Sequence, residues 1–98
     1  MGFLHRGGDV LRIRHGFLLK KIAGEYTAIP YDGTYEEVGA MVSLNDTGAY
    51  LWSYLEEDAT QEELTAALAE EYGIARSLAE EAVTAFINML REHQLLEE

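Results

Sequence analysis

Apolar and polar positions change their period near the middle of the chain. Before residue 45 the apolar residues come in short runs rich in aromatic and β-branched types. Phe17-Leu18-Leu19-Lys20-Lys21-Ile22 and Tyr26-Thr27-Ala28-Ile29 are two such runs, and Ala23-Gly24-Glu25 between them predicts a tight hairpin. Pro30 then closes the second strand or confines it to a sheet edge. Tyr31 to Gly39 has no clean period, contains Asp32-Gly33 and Glu36-Glu37, and reads as a loop. Met41-Val42-Ser43-Leu44 is a third short strand, whose alternation sends Val42 and Leu44 to one face and Met41 and Ser43 to the other.

From Asn45 onward the period is helical. Asn45 suits the N-cap of a helix with Ala49, Leu51, Trp52 and Leu55 at helical spacing. Thr60 followed by Glu63 is a capping box, opening a helix that carries Leu64, Ala67, Leu68 and Tyr72 and stops at Gly73. Ser77 followed by Glu80 is a second capping box, placed to open a last helix with Leu78, Ala82, Val83, Phe86, Ile87 and Leu90; Leu95-Leu96 then fold back on the body. Three strands followed by three helices predict an α+β fold with a three-stranded antiparallel sheet. At 98 residues the chain is expected to be a single domain, 1–98. Its first eleven residues are either a flexible basic arm or an addition to the sheet.

Composition narrows the chemistry. The chain has no cysteine, which removes disulfides, thiolate metal sites and cysteine nucleophiles and suits a reducing cytoplasm. No stretch has the length of a membrane span, and Met1 to Arg6 lacks a signal-peptide core, so a soluble, unprocessed, cytoplasmic protein with no membrane partner is expected. Net charge is −11 and unevenly spread: Arg6, Arg12, Arg14, Lys20 and Lys21 precede residue 25, whereas only Arg76 and Arg91 follow it, among nearly all the acids. Such a field repels a nucleic-acid backbone, whose affinity comes largely from Lys and Arg.

Enzymatic constellations are absent. His5, His15 and His93 are scattered without metal-ligand spacing, and Gly7-Gly8 and Gly33 are not followed by the Lys-Ser or Lys-Thr pair of a phosphate loop. The paired acids Glu36-Glu37, Glu62-Glu63, Glu70-Glu71 and Glu80-Glu81 sit in turns or alternate with apolar helix positions, as solvated faces do. Ser43, Ser53 and Ser77 read as a strand residue, a helix-surface residue and an N-cap rather than nucleophiles. Neither a catalytic residue nor a metal or other cofactor is expected.

The informative segment is Leu44-Asn45-Asp46-Thr47-Gly48-Ala49-Tyr50-Leu51-Trp52, which hands the chain from a strand straight into a helix, with Gly48-Ala49 leaving room for a close neighbour. Together with Thr60 to Leu64, Glu71-Tyr72, Phe86 to Leu96 and the hairpin Ile22-Ala23-Gly24-Glu25-Tyr26, it resembles the PqqD family, the RiPP recognition elements. The resemblance spans roughly residues 12 to 97. It implies a domain like a winged helix-turn-helix that holds the leader segment of a ribosomally made precursor peptide for a separate tailoring enzyme, such as a radical SAM protein. In that family the leader adds a strand beside the third strand and touches the last helix.

On this resemblance Ala40, Met41, Val42 and Ser43 form the strand side of a peptide groove, because an edge strand offers unpaired N–H and C=O groups. Val83, Ile87, Asn88 and Arg91 form the helix side, at spacings of three to four. A sheet-packed helix needs the same apolar stripe, so Val83 and Ile87 also have a core reading, and Arg91 also suits the helix C-terminus. The Tyr31 to Gly39 loop is longer and more acidic than the family's tight connection, and so either covers the edge strand or adds to the recognition surface. Two alternatives belong to other classes: a winged-helix DNA-binding regulator, which requires a basic recognition helix, and a structural module that self-associates through the edge strand as a homodimer.

Overall fold

The computed structural model describes residues 10–30 and 42–97. The Tyr31 to Gly39 loop, Ala40, Met41 and the basic residue Arg6 lie outside the described residues. Strands β1 (Val10–Ile13), β2 (Phe17–Ile22), β3 (Glu25–Pro30) and β4 (Val42–Leu44) precede helix α1 (Asp46–Leu55). Strand β5 (Ala59–Thr60), helices α2 (Gln61–Tyr72) and α3 (Arg76–Glu92) and strand β6 (Leu96–Glu97) complete the chain. The fold is α+β, three helices against antiparallel sheets, with a winged-helix-like arrangement.

The expected three-stranded meander is present, in the order β2-β3-β4. Ile22 pairs with Glu25, so the connection is only Ala23-Gly24. Both residues have positive φ, 52° and 85°, as a type I′ hairpin turn requires. Gly24 takes this conformation freely, whereas Ala23 bears the steric cost of a Cβ there. Tyr26, Thr27 and Ala28 of β3 pair with Leu44, Ser43 and Val42 of β4. Val42 and Leu44 turn inward and Ser43 is exposed, as the alternation predicts. Pro30 ends β3 opposite Phe17, beyond the reach of the β4 pairing, where its missing N–H breaks no bond to β4.

A second small sheet, β5-β1-β6, has no counterpart in the periodicity. Val10 to Ile13 are not an arm: Leu11 and Ile13 are buried, and β1 pairs with both β5 and β6. The tail is tied to β1 by Arg14 N–H donating to the Leu95 carbonyl at 2.8 Å. An exposed ion pair, Arg12 to Asp58 at 3.5 Å, links β1 to the residue before β5 and adds little.

The helices pack around Leu51, Trp52, Leu55, Leu64, Leu68, Val83, Ile87 and Leu90, all essentially inaccessible to solvent. At the start of α2, Thr60 Oγ1 accepts from Glu63 N–H at 3.1 Å while Glu63 accepts from Thr60 N–H at 2.9 Å, a complete capping box. Gly73 ends α2 in the left-handed region, and Ile74 N–H reaches back to the Ala69 carbonyl.

The start of α3 differs from expectation. The helix is entered from Ala75, which is extended and makes no side-chain cap, so Ser77 already lies inside the first turn. The reversal at Gly73-Ile74 is complete by residue 75, and the chain is free to turn helical before the Ser77 and Glu80 pair is reached. Ala79 thereby takes the buried position, and Leu78 is 55% exposed rather than in the core. Tyr72 is likewise not a core residue; its ring rests edge-on against Tyr50 with centroids 5.9 Å apart.

These two helix starts give opposite expectations. Thr60→Ala should lower unfolding free energy by about 1–2 kcal/mol in urea titration, whereas Ser77→Ala should change it by less than about 0.5 kcal/mol. Equal losses at both positions would show that Ser77 does cap α3.

Candidate functional site

The corner between β4 and α1 sets the site. Asn45, extended at φ −81° and ψ −179°, leaves the strand and caps the helix: its Oδ1 accepts from Gly48 N–H at 2.8 Å, and its carbonyl accepts from Ala49 N–H at 2.9 Å. Gly48 is needed for close approach. A Cβ there would stand 3.2 Å from Asn45 Oδ1 and 3.3 Å from the Phe86 ring, so a side chain would press on both the cap and the helix behind it. Phe86 brings α3 up to this corner, and a groove of about 410 Å³ opens between β4 and α3.

The helix wall of the groove is apolar, while Ser43, Asn45 and Thr47 put polar groups along its other side. Ser43, Leu44 and Asn45 form the strand side, Leu51 comes from α1, and Ala82, Ala85, Phe86 and Met89 form the helix side. In the sheet order β4 is terminal, hydrogen-bonded to β3 and to no other described strand. Its outer N–H and C=O groups therefore lie along the open groove, and an edge of this kind pairs readily with an extended segment.

Structure and sequence expectation part company on the helix wall. Val83 and Ile87 are 0% and 2% exposed, held in the core under the sheet and the other helices, so their side chains do not face the groove. Arg91 is exposed, and so is Asn88, which stands about 60° round the helix from Ala85 at the rim of the wall. At about 100° per residue, Arg91 lies roughly opposite the line through Ala82, Ala85 and Met89. It lines a different cavity, with Arg14, Gln94, Leu96 and Glu97. The actual wall is Ala82, Ala85, Phe86 and Met89, and Leu78 continues the same line one turn earlier. On the strand side Val42 is half-buried and Ser43 exposed beside the groove.

A signal for this wall exists in the sequence. From Ala85 round to Ile87 the apolar residues of α3 cover an arc of about 200°, whereas a helix that packs on one core needs little more than about 100°. An arc that wide implies two contact faces. The core takes Ala79, Val83, Ile87 and Leu90; the groove takes the rest, with Phe86 at the boundary and serving both.

Among the described residues no three metal-ligating side chains converge, and no helix is long and apolar enough to cross a membrane. The one strongly shifted group among them is Tyr50, pushed up to about 12 chiefly by its hydrogen bond with Tyr54, then by burial and by the charges of Tyr54, Glu71 and Glu70. The hydroxyls are 3.1 Å apart. A phenol held protonated in this way is a poor base near neutral pH, and it lies outside the groove.

A three-helix domain with a short meander, whose edge strand faces an apolar helix wall, belongs to the class of winged-helix-like peptide recognition folds. A family model described as Coenzyme PQQ synthesis protein D (PqqD) matches residues 34–96, and the chain belongs to that family, as a PqqD-like RiPP recognition element. A solved structure described as TbiB1 in complex with the TbiA(beta) leader peptide is similar at 27% identity and a TM-score of 0.70, covering 88% of this chain and 94% of that one. The curated proteins gave no match.

The division of α3 into core and groove faces has a direct test. Ile87→Ala should cost about 2–4 kcal/mol of unfolding free energy, because it leaves a cavity in a closed core. Ala85→Ser should stay within about 0.5 kcal/mol in the same urea titration, because the site is open to water. A small loss at Ile87 would return it to the surface and overturn this assignment.

Proposed function

We propose that this protein is a non-enzymatic recognition element that binds the leader segment of a ribosomally made precursor peptide and presents it to a separate tailoring enzyme, a radical SAM protein being one such class. The leader adds as a strand to the outer edge of β4. Val42 and Ser43, and Ala40 and Met41 before them, provide the backbone partners. The side chains that turn inward pack on Ala82, Ala85, Phe86 and Met89.

The observation that carries this reading is the coincidence of two features at one place: an edge strand without an outer partner among the described residues, and an apolar wall directly beside it. Backbone hydrogen bonds then supply sequence-independent affinity, and the wall supplies selection. The family and the leader peptide held by TbiB1 point the same way. Arg91, on the far side of α3, is better placed for contact with a second protein than with the leader, whereas Asn88 stands beside Ala85 at the rim of the wall. A DNA-binding role gains no support, since α3 offers Arg76 and Arg91 beside Glu80, Glu81 and Glu92.

Ala85→Glu tests the proposal, because it sets a carboxylate on the wall without entering the core. Binding of the leader from a neighbouring short reading frame, measured by fluorescence anisotropy, should weaken at least about tenfold, as expected when a charge is desolvated at an apolar contact. The melting temperature should be unchanged. Undiminished binding would remove the groove from the recognition surface. A wild-type protein that binds no such leader and dimerises in light scattering would assign the β4 edge to a second copy of the chain.

A further inference from the structure

Tyr54 and Tyr72, 37% and 44% exposed, meet around a third tyrosine. Tyr50 lies between them: its ring stands 5.2 Å from that of Tyr54 and 5.9 Å, edge-on, from that of Tyr72. The Tyr50 hydroxyl shares a hydrogen bond of 3.1 Å with Tyr54 and donates to the Ala67 carbonyl at 3.5 Å. The cluster thus bridges α1 and α2, and none of its three rings lines the groove. The charge beside the rings is placed at a cost. Glu70 and Glu71 occupy the last turn of α2, which holds no basic residue, and a carboxylate there opposes the negative end of the helix dipole. Both are exposed, and their charges reach the Tyr50 hydroxyl, whose ionisation they help to oppose. Neither forms an ion pair among the described residues, with Arg76 at the start of α3 included. Local stability therefore does not account for this pair of acids. Negative charge gathered beside aromatic rings is complementary to a cation.

A leader held in the groove occupies it, so the tailoring enzyme must meet the domain on another face. We infer that the tyrosine cluster with Glu70 and Glu71 is that face, and that it receives an arginine-bearing surface of the enzyme. This inference rests on the recognition-element reading and adds to it the docking surface and its chemistry. Arginine fits both parts of the surface: its guanidinium stacks on tyrosine rings and pairs bidentately with carboxylates, whereas Lys offers only a point charge. Rings already fixed by mutual contact and by the Ala67 carbonyl lose little further freedom when a partner arrives. A second copy of the chain fits this face poorly, because a two-fold contact would set Glu70 and Glu71 of both copies against each other in a protein of net charge −11.

A short peptide, acetyl-Gly-Arg-Arg-Gly-amide, probes the chemistry, with Lys-Lys and Gln-Gln versions beside it. At low salt the Arg peptide should shift the NMR ring resonances of Tyr54 and Tyr72 and bind about threefold more tightly than the Lys peptide, while the Gln peptide leaves the rings unmoved. Glu70→Gln with Glu71→Gln should weaken the Arg peptide about three- to tenfold, the range of two exposed ion pairs, whereas the same charge change elsewhere, Glu62→Gln with Glu92→Gln, should stay within about twofold. The tailoring enzyme encoded beside this chain, titrated by calorimetry onto the leader-loaded protein, should lose at least about tenfold in affinity with Tyr54→Ala, and several-fold with Glu70→Gln and Glu71→Gln together. Leader affinity should be unchanged in both. Unmoved rings with the Arg peptide, equal weakening by the two charge variants, or enzyme binding that survives both changes at the cluster would overturn the inference. A leader that itself shifts the Tyr54 and Tyr72 rings and binds less well to Tyr54→Ala would overturn it too, by giving the cluster to the leader. Failure of any leader to bind the wild-type protein is a different result: it removes the recognition-element reading, and the enzyme assignment with it, whatever the Arg peptide does.

Discussion

The hydrogen bond from Gly48 N–H to the Asn45 side chain fixes the angle at which the chain leaves β4 and enters α1, and most of the site follows from that angle. An uncapped helix start would leave donors unsatisfied next to the groove, at a cost of about 1 kcal/mol or more. Gly48 is bound by the same geometry. It is the donor to the cap, and its missing side chain is the space into which Phe86 fits. Strand, cap and α3 are thus locked at one point. The groove is the opening that remains where α3 diverges from the edge strand.

This arrangement explains how a small domain keeps an apolar helix wall beside an edge strand that has no outer partner among the described residues, and still closes its core. Phe86 belongs to both surfaces: its ring closes the core below and forms the groove wall above. Rigid placement matters for an edge strand of three residues, which offers few backbone hydrogen bonds and must hold them ready for a partner.

Where sequence and structure agree, a local signal and a tertiary demand coincide. Asn45, Thr60 with Glu63, and Gly73 occupy helix ends where the side-chain chemistry decides the boundary, so they were legible without knowledge of the fold. Ser77 with Glu80 offered the same local signal and lost. The turn after Gly73 had already aligned the chain, and burial of Ala79 rather than Leu78 determined the phase of α3. Strands β1, β5 and β6 were largely invisible because each is short and their pairing joins the start, middle and end of the chain, a contact that no local pattern records. Val83 and Ile87, expected on the helix side of the groove, are buried for a related reason. Val83 and Ile87 lie on the most continuous apolar stripe, and the most continuous stripe of a packed helix is the one the core claims.

Strand addition makes the outer edge of β4 a paired strand when the recognition segment binds. Amide hydrogen exchange at Val42, Ser43 and Leu44, measured by NMR with and without the leader peptide, reads this directly. Strand addition predicts that the β4 amides pointing away from β3 exchange rapidly in the free protein and become strongly protected in the complex, while the β2 amides at the far side of the sheet keep their rates. Binding at full affinity with unchanged exchange along β4 would contradict the account.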